Sequence, residues 1–358
     1  MKKLKIAIIG QGRSGRDIHG LFYKSEKNTK FEVAYVVDKK EHRRKRALEE
    51  YPGCQVFESY QELFGIKDID VVVNSSFSEM HFAITKDLLE HGFNVLCEKP
   101  FARTQYECDT LIRIAKEKNV KLYVFQQSFF APFYLKAKEV IASGKLGDIK
   151  QINITYSGFA RRWDWQTTQV KMGGSIYNTG PHPIGIGLGF LDFDKDFKVA
   201  FSKLDRVLTS GDADDFAKII LTAPNKPFVD IEINSNDAYS DFAYKIYGSK
   251  GTYVSSLADY KMKYIVDGEN PEKPVILDSL ETAEGLPMYC FEQLNFHEEE
   301  GSLTGDAFDV GTYSLYNMIY ENIVNGVEIT VKPEHASMTI NVIERVHADN
   351  PLEVKFFI

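Results

Sequence analysis

Two stretches of this chain place groups that could move a proton and steady a developing negative charge. In Phe93–Ala102, FNVLCEKPFA, an apolar run ends abruptly in Glu98, Lys99 and Pro100. In Gly173–His182, GGSIYNTGPH, a glycine pair precedes Asn178 and His182. A lysine ammonium stabilises an alkoxide as it forms, or shifts the pKa of a neighbouring base. Histidine titrates near neutrality and suits a reversible proton shuttle. Together they fit a reaction in which a carbinol carbon gives up a hydride while its hydroxyl gives up a proton. Pro181 is a good early residue of a helix, and if one helical turn includes both Asn178 and His182 their side chains share a face.

A hydride needs an acceptor, and the N-terminus supplies a place for one. IAIIGQGRSGRDIHG sets Gly10, Gly12 and Gly15 in the G-x-G-x-x-G spacing, directly after one apolar run and before a helical one. The first glycine allows a tight turn, the second lets backbone approach a pyrophosphate, and the third allows close helix packing. Arg13 and Ser14 belong to the same loop, and unpaired N–H groups of the helix start would face the phosphates. Asp38 ends the next apolar run, where an acid would hydrogen-bond the adenosine ribose. A carboxylate there repels a 2′-phosphate and favours NAD. The basic run that follows, including Lys39, Lys40 and Arg43, reads either as a solvated helix face or as a grip for the phosphate of NADP.

The elements that must carry these groups alternate in the first third. Apolar β-branched runs at Leu4–Ile9, Glu32–Val37, Asp70–Val73, Phe93–Cys97 and Leu122–Phe125 are separated by helical patterns at Arg16–Lys24, His42–Glu50, Met80–His91 and Gln105–Lys118. That order predicts βαβ units and a parallel sheet. Beyond about residue 148 the runs alternate polar and apolar and are joined by Gly, Pro, Asn or Asp, which predicts a mostly antiparallel sheet with one covered face. Two late helices are expected at Phe308–Asn325 and Glu334–Arg345. The fold class is therefore α/β plus α+β: a Rossmann dinucleotide-binding domain over 1–125, then a domain with a large, mostly antiparallel open sheet over 126–358.

Composition narrows the classes. With 358 residues, 44% hydrophobic and 26% charged, the chain reads as an ordinary globular protein of two domains. A net charge of −8 argues against nucleic-acid or anionic-membrane binding. No apolar run approaches a membrane span or a secretory segment. The four cysteines show neither a disulfide framework nor metal-ligand spacing, the eight histidines are scattered, and a reducing cytoplasm fits.

Taken together, the pattern resembles the Gfo/Idh/MocA family of oxidoreductases. The family's E-K-P stands here as Glu98-Lys99-Pro100; its T-P-N-x-x-H is altered to Ser76-Phe77-Ser78-Glu79-Met80-His81; PFYLKAKEVIASGKLGDI follows at Pro132–Ile149; and the second-domain signature is GGSIYNTGPH. The resemblance implies that Lys99 approaches both cofactor ribose and substrate hydroxyl, that His182 is the acid/base, that Glu98 binds the nicotinamide-side ribose, and that a cis peptide precedes Pro100. Ser76, His81 and Gln127 fall at cofactor-contacting positions of that pattern. It also implies a homo-oligomer. Three departures stand out. The family's aspartate is Asn178, the Thr-Pro pair is Ser76-Phe77, and N-x-R after the sixth strand is Gln127-Ser128-Phe129, without its basic residue. An amide cannot stabilise a protonated His182 by charge.

Substrate signals are thinner. GFARRWDWQTTQ holds both tryptophans, Trp163 and Trp165, beside Arg161, Arg162 and Asp164. Aromatic faces pack on sugar C–H faces while Arg, Asp and Gln bind hydroxyls, so this loop is either a carbohydrate wall or core tryptophans with solvated arginines. Three functions compete: an NAD-dependent dehydrogenase of a sugar, inositol-like polyol or glycoside; a glycoside 3-oxidation that labilises the glycosidic bond; and a non-catalytic nucleotide- or sugar-binding sensor.

Overall fold

The computed structural model describes residues 3–357. Six strands form the first sheet: β1 (Leu4–Ile9), β2 (Phe31–Val37), β3 (Gln55–Phe57), β4 (Val71–Asn74), β5 (Val95–Cys97) and β6 (Leu122–Val124). All neighbours are parallel, in the order β3-β2-β1-β4-β5-β6. β4, β5 and β6 are buried at every residue, as expected of strands covered by helices on both faces. The order reverses beside β1, so a crevice opens at the carboxyl ends of β1 and β4. The glycine loop lies there. Gly10 has φ +90°, and a Cβ on it would stand 2.5 Å from the Ser75 carbonyl oxygen. A Cβ on Gly15 would collide with the Gly10 carbonyl oxygen and stand 2.7 Å from Ser75 Oγ.

Eight further strands form the second sheet: β7 (Ile149–Thr155), β8 (Lys198–Asp205), β9 (Phe216–Thr222), β10 (Phe228–Asn234), β11 (Tyr244–Gly248), β12 (Gly251–Ser255), β13 (Asp259–Tyr264) and β14 (His297–Ser302). Their order is β14-β13-β12-β11-β7-β10-β9-β8. Only β7 and β10 pair in parallel. Alternate residues such as Ala217, Ile219, Leu221, Val229, Ile231 and Ile233 are buried against the helix Pro181–Phe190, and the residues between them form the outer face.

The structure departs from the sequence reading in four places. β3 is a three-residue edge strand, too short to carry a period. The helix after the glycine loop opens as a π-helical turn, Gly15–His19, before Gly20–Lys24, and the late helix opens as Ala307–Gly311 before Thr312–Asn325. Asn178 and His182 do not share a helix. Asn178 ends the short helix Ser175–Asn178, and His182 is the second residue of Pro181–Phe190, because a proline at 181 has no N–H with which to continue the earlier turn. Finally, the last two helices return to the first sheet. Tyr123 Oη donates to Asn322 at 2.6 Å, and Ser337 Oγ donates to Asp109 at 2.6 Å on the helix Gln105–Lys118. Sequence order thus does not follow packing order at the C-terminus.

Close backbone approach at Gly15 generates a stability prediction. Gly15→Ala should destabilise the protein by about 1–3 kcal/mol, the usual cost of overpacking a filled site, measured by urea unfolding.

Candidate active site

β5 delivers the two charges to the crevice. Cys97 ends the strand, Glu98 and Lys99 follow, and the Lys99–Pro100 peptide is cis. His81 straps this turn to the neighbouring loop: Nδ1 lies 2.7 Å from the Pro100 carbonyl oxygen and Nε2 3.3 Å from that of Ser76. Burial lowers its pKa, and the one N–H of the neutral ring suits the shorter contact, from Nδ1 to the Pro100 carbonyl. Ser76 Oγ donates to Asn74 Oδ1 at 2.7 Å, which fixes the same loop.

Glu98 is buried, yet it is held as a carboxylate. Burial alone would raise its pKa, but His19, Lys99 and His81 around it bring it down to about 2. Its Oε2 accepts the Lys99 backbone N–H at 2.9 Å. Its Oε1 lies 3.2 Å from His19 Nε2, off hydrogen-bond alignment, and is left without a hydrogen-bond partner.

Lys99 reaches across to the second half of the chain. Its Nζ donates to the Asn178 carbonyl oxygen at 2.7 Å. Burial lowers its pKa, Glu98 opposes that shift, and the cations Arg13 and Arg162 add to it. His182 stands beside it: burial first, then the Lys99 charge, push the imidazole down to about 3, so it is neutral at physiological pH. Its Nδ1 lies 3.1 Å from Ser128 Oγ. Ser128 therefore orients the imidazole from within the Gln127-Ser128-Phe129 departure. The Asn178 side chain turns away from this task and accepts from Gln166 Nε2 at 3.0 Å.

A Cβ on Gly12 would meet only Arg43 Nη1, at 3.7 Å, so backbone faces open space where a pyrophosphate would approach. Gln11, Glu98 and Gln127 each bury a side-chain polar atom with no hydrogen-bond partner, an arrangement costly unless a ligand completes it. Asp38 Oδ2 accepts the Gln11 N–H at 2.8 Å and Oδ1 the Lys40 N–H at 2.9 Å, while Arg43 Nη1 lies 3.3 Å from Oδ2. The residues present fit a dinucleotide. Arg13 and Ser14 lie in the same loop, and Ser14 makes no side-chain cap to the helix.

The tryptophan loop is neither core nor bare surface. Trp163 is 89% exposed, while Trp165 packs edge-on to Phe77 with ring centroids 5.0 Å apart. Arg162 pairs with Asp164 at 2.6 Å. Arg161 is exposed. Asp164 is the partner Arg162 needs, so the loop is braced by its own charges. A small cavity joins this loop to the site, lined by Arg162, Gln166, Ser175, Asn178, Asp214 and Thr209 among others. The sequence reading missed Asp214, which accepts the Ile176 N–H at 2.8 Å and is raised to about 7 by burial. The DADD cluster at 212–215 was its signal: Asp212 and Asp215 likewise accept backbone N–H groups of other segments.

With this geometry in place, the comparisons are decisive. The model described as an oxidoreductase family with an NAD-binding Rossmann fold matches residues 4–126, and that of the GFO/IDH/MocA C-terminal domain matches 134–254. The chain belongs to the Gfo/Idh/MocA family. It is an NAD(P)-dependent oxidoreductase acting on small molecules. It is 26% identical over 281 residues to an uncharacterized oxidoreductase, C26H5.09c, of Schizosaccharomyces pombe, covering 76% of each chain. It is 27% identical over 274 residues to an inositol 2-dehydrogenase of Salmonella paratyphi B, covering 74% of this chain and 79% of that one. The fold also matches KijD10, a 3-ketoreductase from Actinomadura kijaniata solved with NADP and TDP-benzene, at TM-score 0.77, 16% identity, and 99% and 100% coverage. Among the described residues no helix is long and apolar enough to cross a membrane.

Two depressed pKa values at this site set a pH dependence. The unfolded chain takes up a proton on His182 near its ordinary 6.5, whereas the folded protein resists protonation until about 3. Stability should therefore fall as pH drops from 6.5, and the Glu98 contribution is lost only later, between 4.5 and about 2. His81 and His347, also lowered by burial, add to the first limb. Unfolding midpoints measured from pH 7 to 4.5 should decline, and less steeply for His182→Asn.

Proposed function

We propose that this enzyme transfers a hydride between a secondary alcohol of a sugar, inositol-like polyol or glycoside and the nicotinamide, with Lys99 and His182 at the carbinol. The observation that carries the reading is the Lys99 Nζ bond to the Asn178 carbonyl oxygen, made beside a neutral His182. A neutral imidazole accepts the hydroxyl proton, and the ammonium steadies the oxygen that has lost it. The nicotinamide, when bound, supplies the acceptor or donor of the hydride. Glu98 Oε1 and Gln127 Oε1 are unpaired acceptors for hydroxyls of the nicotinamide-side ribose, and the glycine loop with Arg13 and Ser14 meets the phosphates. His81 acts on the cofactor through the loop it straps.

The likeness to an inositol 2-dehydrogenase supports a polyol, and the Trp163, Trp165 and Arg161 loop supports a ring substrate stacked at the mouth. A second reading, 3-oxidation of a glycoside ahead of bond cleavage, draws on the exposure of Trp163, which leaves room for an aglycone. The outer face of the second sheet, with Phe201 51% and Phe228 38% exposed, supports a homo-oligomer, and three unpaired buried cysteines support a reducing compartment.

Nicotinamide absorbance with NAD and NADP against inositols, aldoses and glycosides tests the reading. Lys99→Met should lower kcat by about 100-fold or more while retaining cofactor; equal turnover in both proteins would remove Lys99 from the chemistry. NAD is the assigned cofactor because Asp38 repels a 2′-phosphate, yet Arg43 lies against that carboxylate and offers NADP a counter-charge. Arg43→Ala should lower the ratio of kcat/KM for NADP over NAD by about tenfold, a single charge-assisted contact.

A further inference from the structure

Beneath the Glu98-Lys99 turn lies a buried polar chain that the hydride chemistry does not use. His19, fully buried, is the last residue of the π-helical turn that follows the glycine loop. Its Nε2 lies 3.2 Å from Glu98 Oε1, and its Nδ1 lies 2.7 Å from the hydroxyl of Tyr316, on the helix Thr312–Asn325. The Tyr23 hydroxyl donates to that of Tyr316 at 2.9 Å. Phe125 closes the pocket edge-on to His19, with ring centroids 4.5 Å apart, and Phe22 stacks on Tyr316 at 4.3 Å. Three segments far apart in sequence thus meet at one imidazole.

The direction of the hydrogens follows from charge. Glu98 is a carboxylate, and an imidazole lone pair 3.2 Å from it would be repelled, so Nε2 must carry a hydrogen. In the tautomer with its hydrogen on Nε2, the ring has an acceptor at Nδ1. The Tyr316 hydroxyl must donate to it, and its own oxygen is free to accept from Tyr23. The chain runs Tyr23 to Tyr316 to His19, whose Nε2 stands 3.2 Å from Glu98 Oε1 as an electrostatic contact off hydrogen-bond alignment. Since Oε2 is taken by the Lys99 N–H, what His19 governs is Oε1, the oxygen left unpaired in the crevice.

We propose that Tyr316 is a positioning residue for cofactor binding: by donating to His19 Nδ1 it fixes the tautomer that holds Glu98 Oε1 ready for a ribose hydroxyl. This rests on the reading of Glu98 as a ribose ligand. It also gives the helix Thr312–Asn325 a function in the dinucleotide site. A glutamine places an amide N–H where Nε2–H stands and needs no tyrosine to set a tautomer, so it separates orientation from packing.

The test is a two-by-two cycle on the full chain, Tyr316→Phe in wild type and in His19→Gln. It is read as the Kd of the reduced dinucleotide, NADH or NADPH, whichever wild type binds more tightly, by nicotinamide fluorescence. Tyr316→Phe should weaken binding about tenfold in wild type and less than about twofold in the His19→Gln background, the coupling expected of groups that act through one another. Thermal unfolding of all four proteins controls for folding. An equal penalty in both backgrounds would show a purely structural tyrosine and overturn the proposal, as would no penalty in wild type or a folded His19→Gln protein without affinity. Because the readout is binding, a wild type that binds dinucleotide but turns over no alcohol counts against the substrate reading alone.

Discussion

The rest of the structure is organised around a carboxylate and an ammonium placed side by side at the end of a fully buried strand. A buried charge is tolerated only when paired and hydrogen-bonded, and Glu98 and Lys99 meet that condition by recruiting partners from everywhere. His19 comes from the helical turn after the glycine loop, His81 from the start of the helix after β4, Asn178 from the short helix Ser175–Asn178, and Tyr316 contacts His19 from the helix Thr312–Asn325. The pair therefore couples the two halves of the protein at the place where a cofactor and a substrate would meet.

That coupling has a direct chemical consequence. Lys99 is tied to a backbone carbonyl, so its position depends on the Ser175–Asn178 turn and not on the Asn178 side chain. Asp214 in turn accepts an N–H at the start of that turn. The replacement of the family's aspartate by Asn178 thus leaves the lysine anchor untouched and redirects the side chain to Gln166. His182 faces the hydroxyl of Ser128, and burial with the Lys99 charge keeps its imidazole neutral.

Much of this was legible beforehand, for a physical reason. Parallel strands buried on both faces read as apolar runs, and a phosphate loop requires glycines at fixed spacing, so β1, β2, β4, β5, β6 and the loop at Gly10–Gly15 announce themselves locally. Lys99 and His182 were legible because charged groups stood where a strand end and a helix start were due. β3 was not, being a half-exposed edge strand with no buried apolar run, nor were the π-helical turns, which share the residue pattern of ordinary helices. Spacing left open whether one helical turn holds both Asn178 and His182; they fall in separate helices, parted at Pro181, which has no N–H.

The sequence by itself determined the order of elements, the glycine loop, the Glu98-Lys99-Pro100 and Gly173–His182 motifs and the family resemblance, because each depends on residues near one another in the chain. Only the tertiary structure decided that Lys99 bonds to the Asn178 carbonyl, that Ser128 faces His182, that Trp165 packs on Phe77, and that Tyr316, 297 residues beyond His19, completes a chain to Glu98. Those contacts join segments with no local pattern in common. They are fixed by burial, since a charge or imidazole taken out of water must find its partners wherever the folded chain brings them.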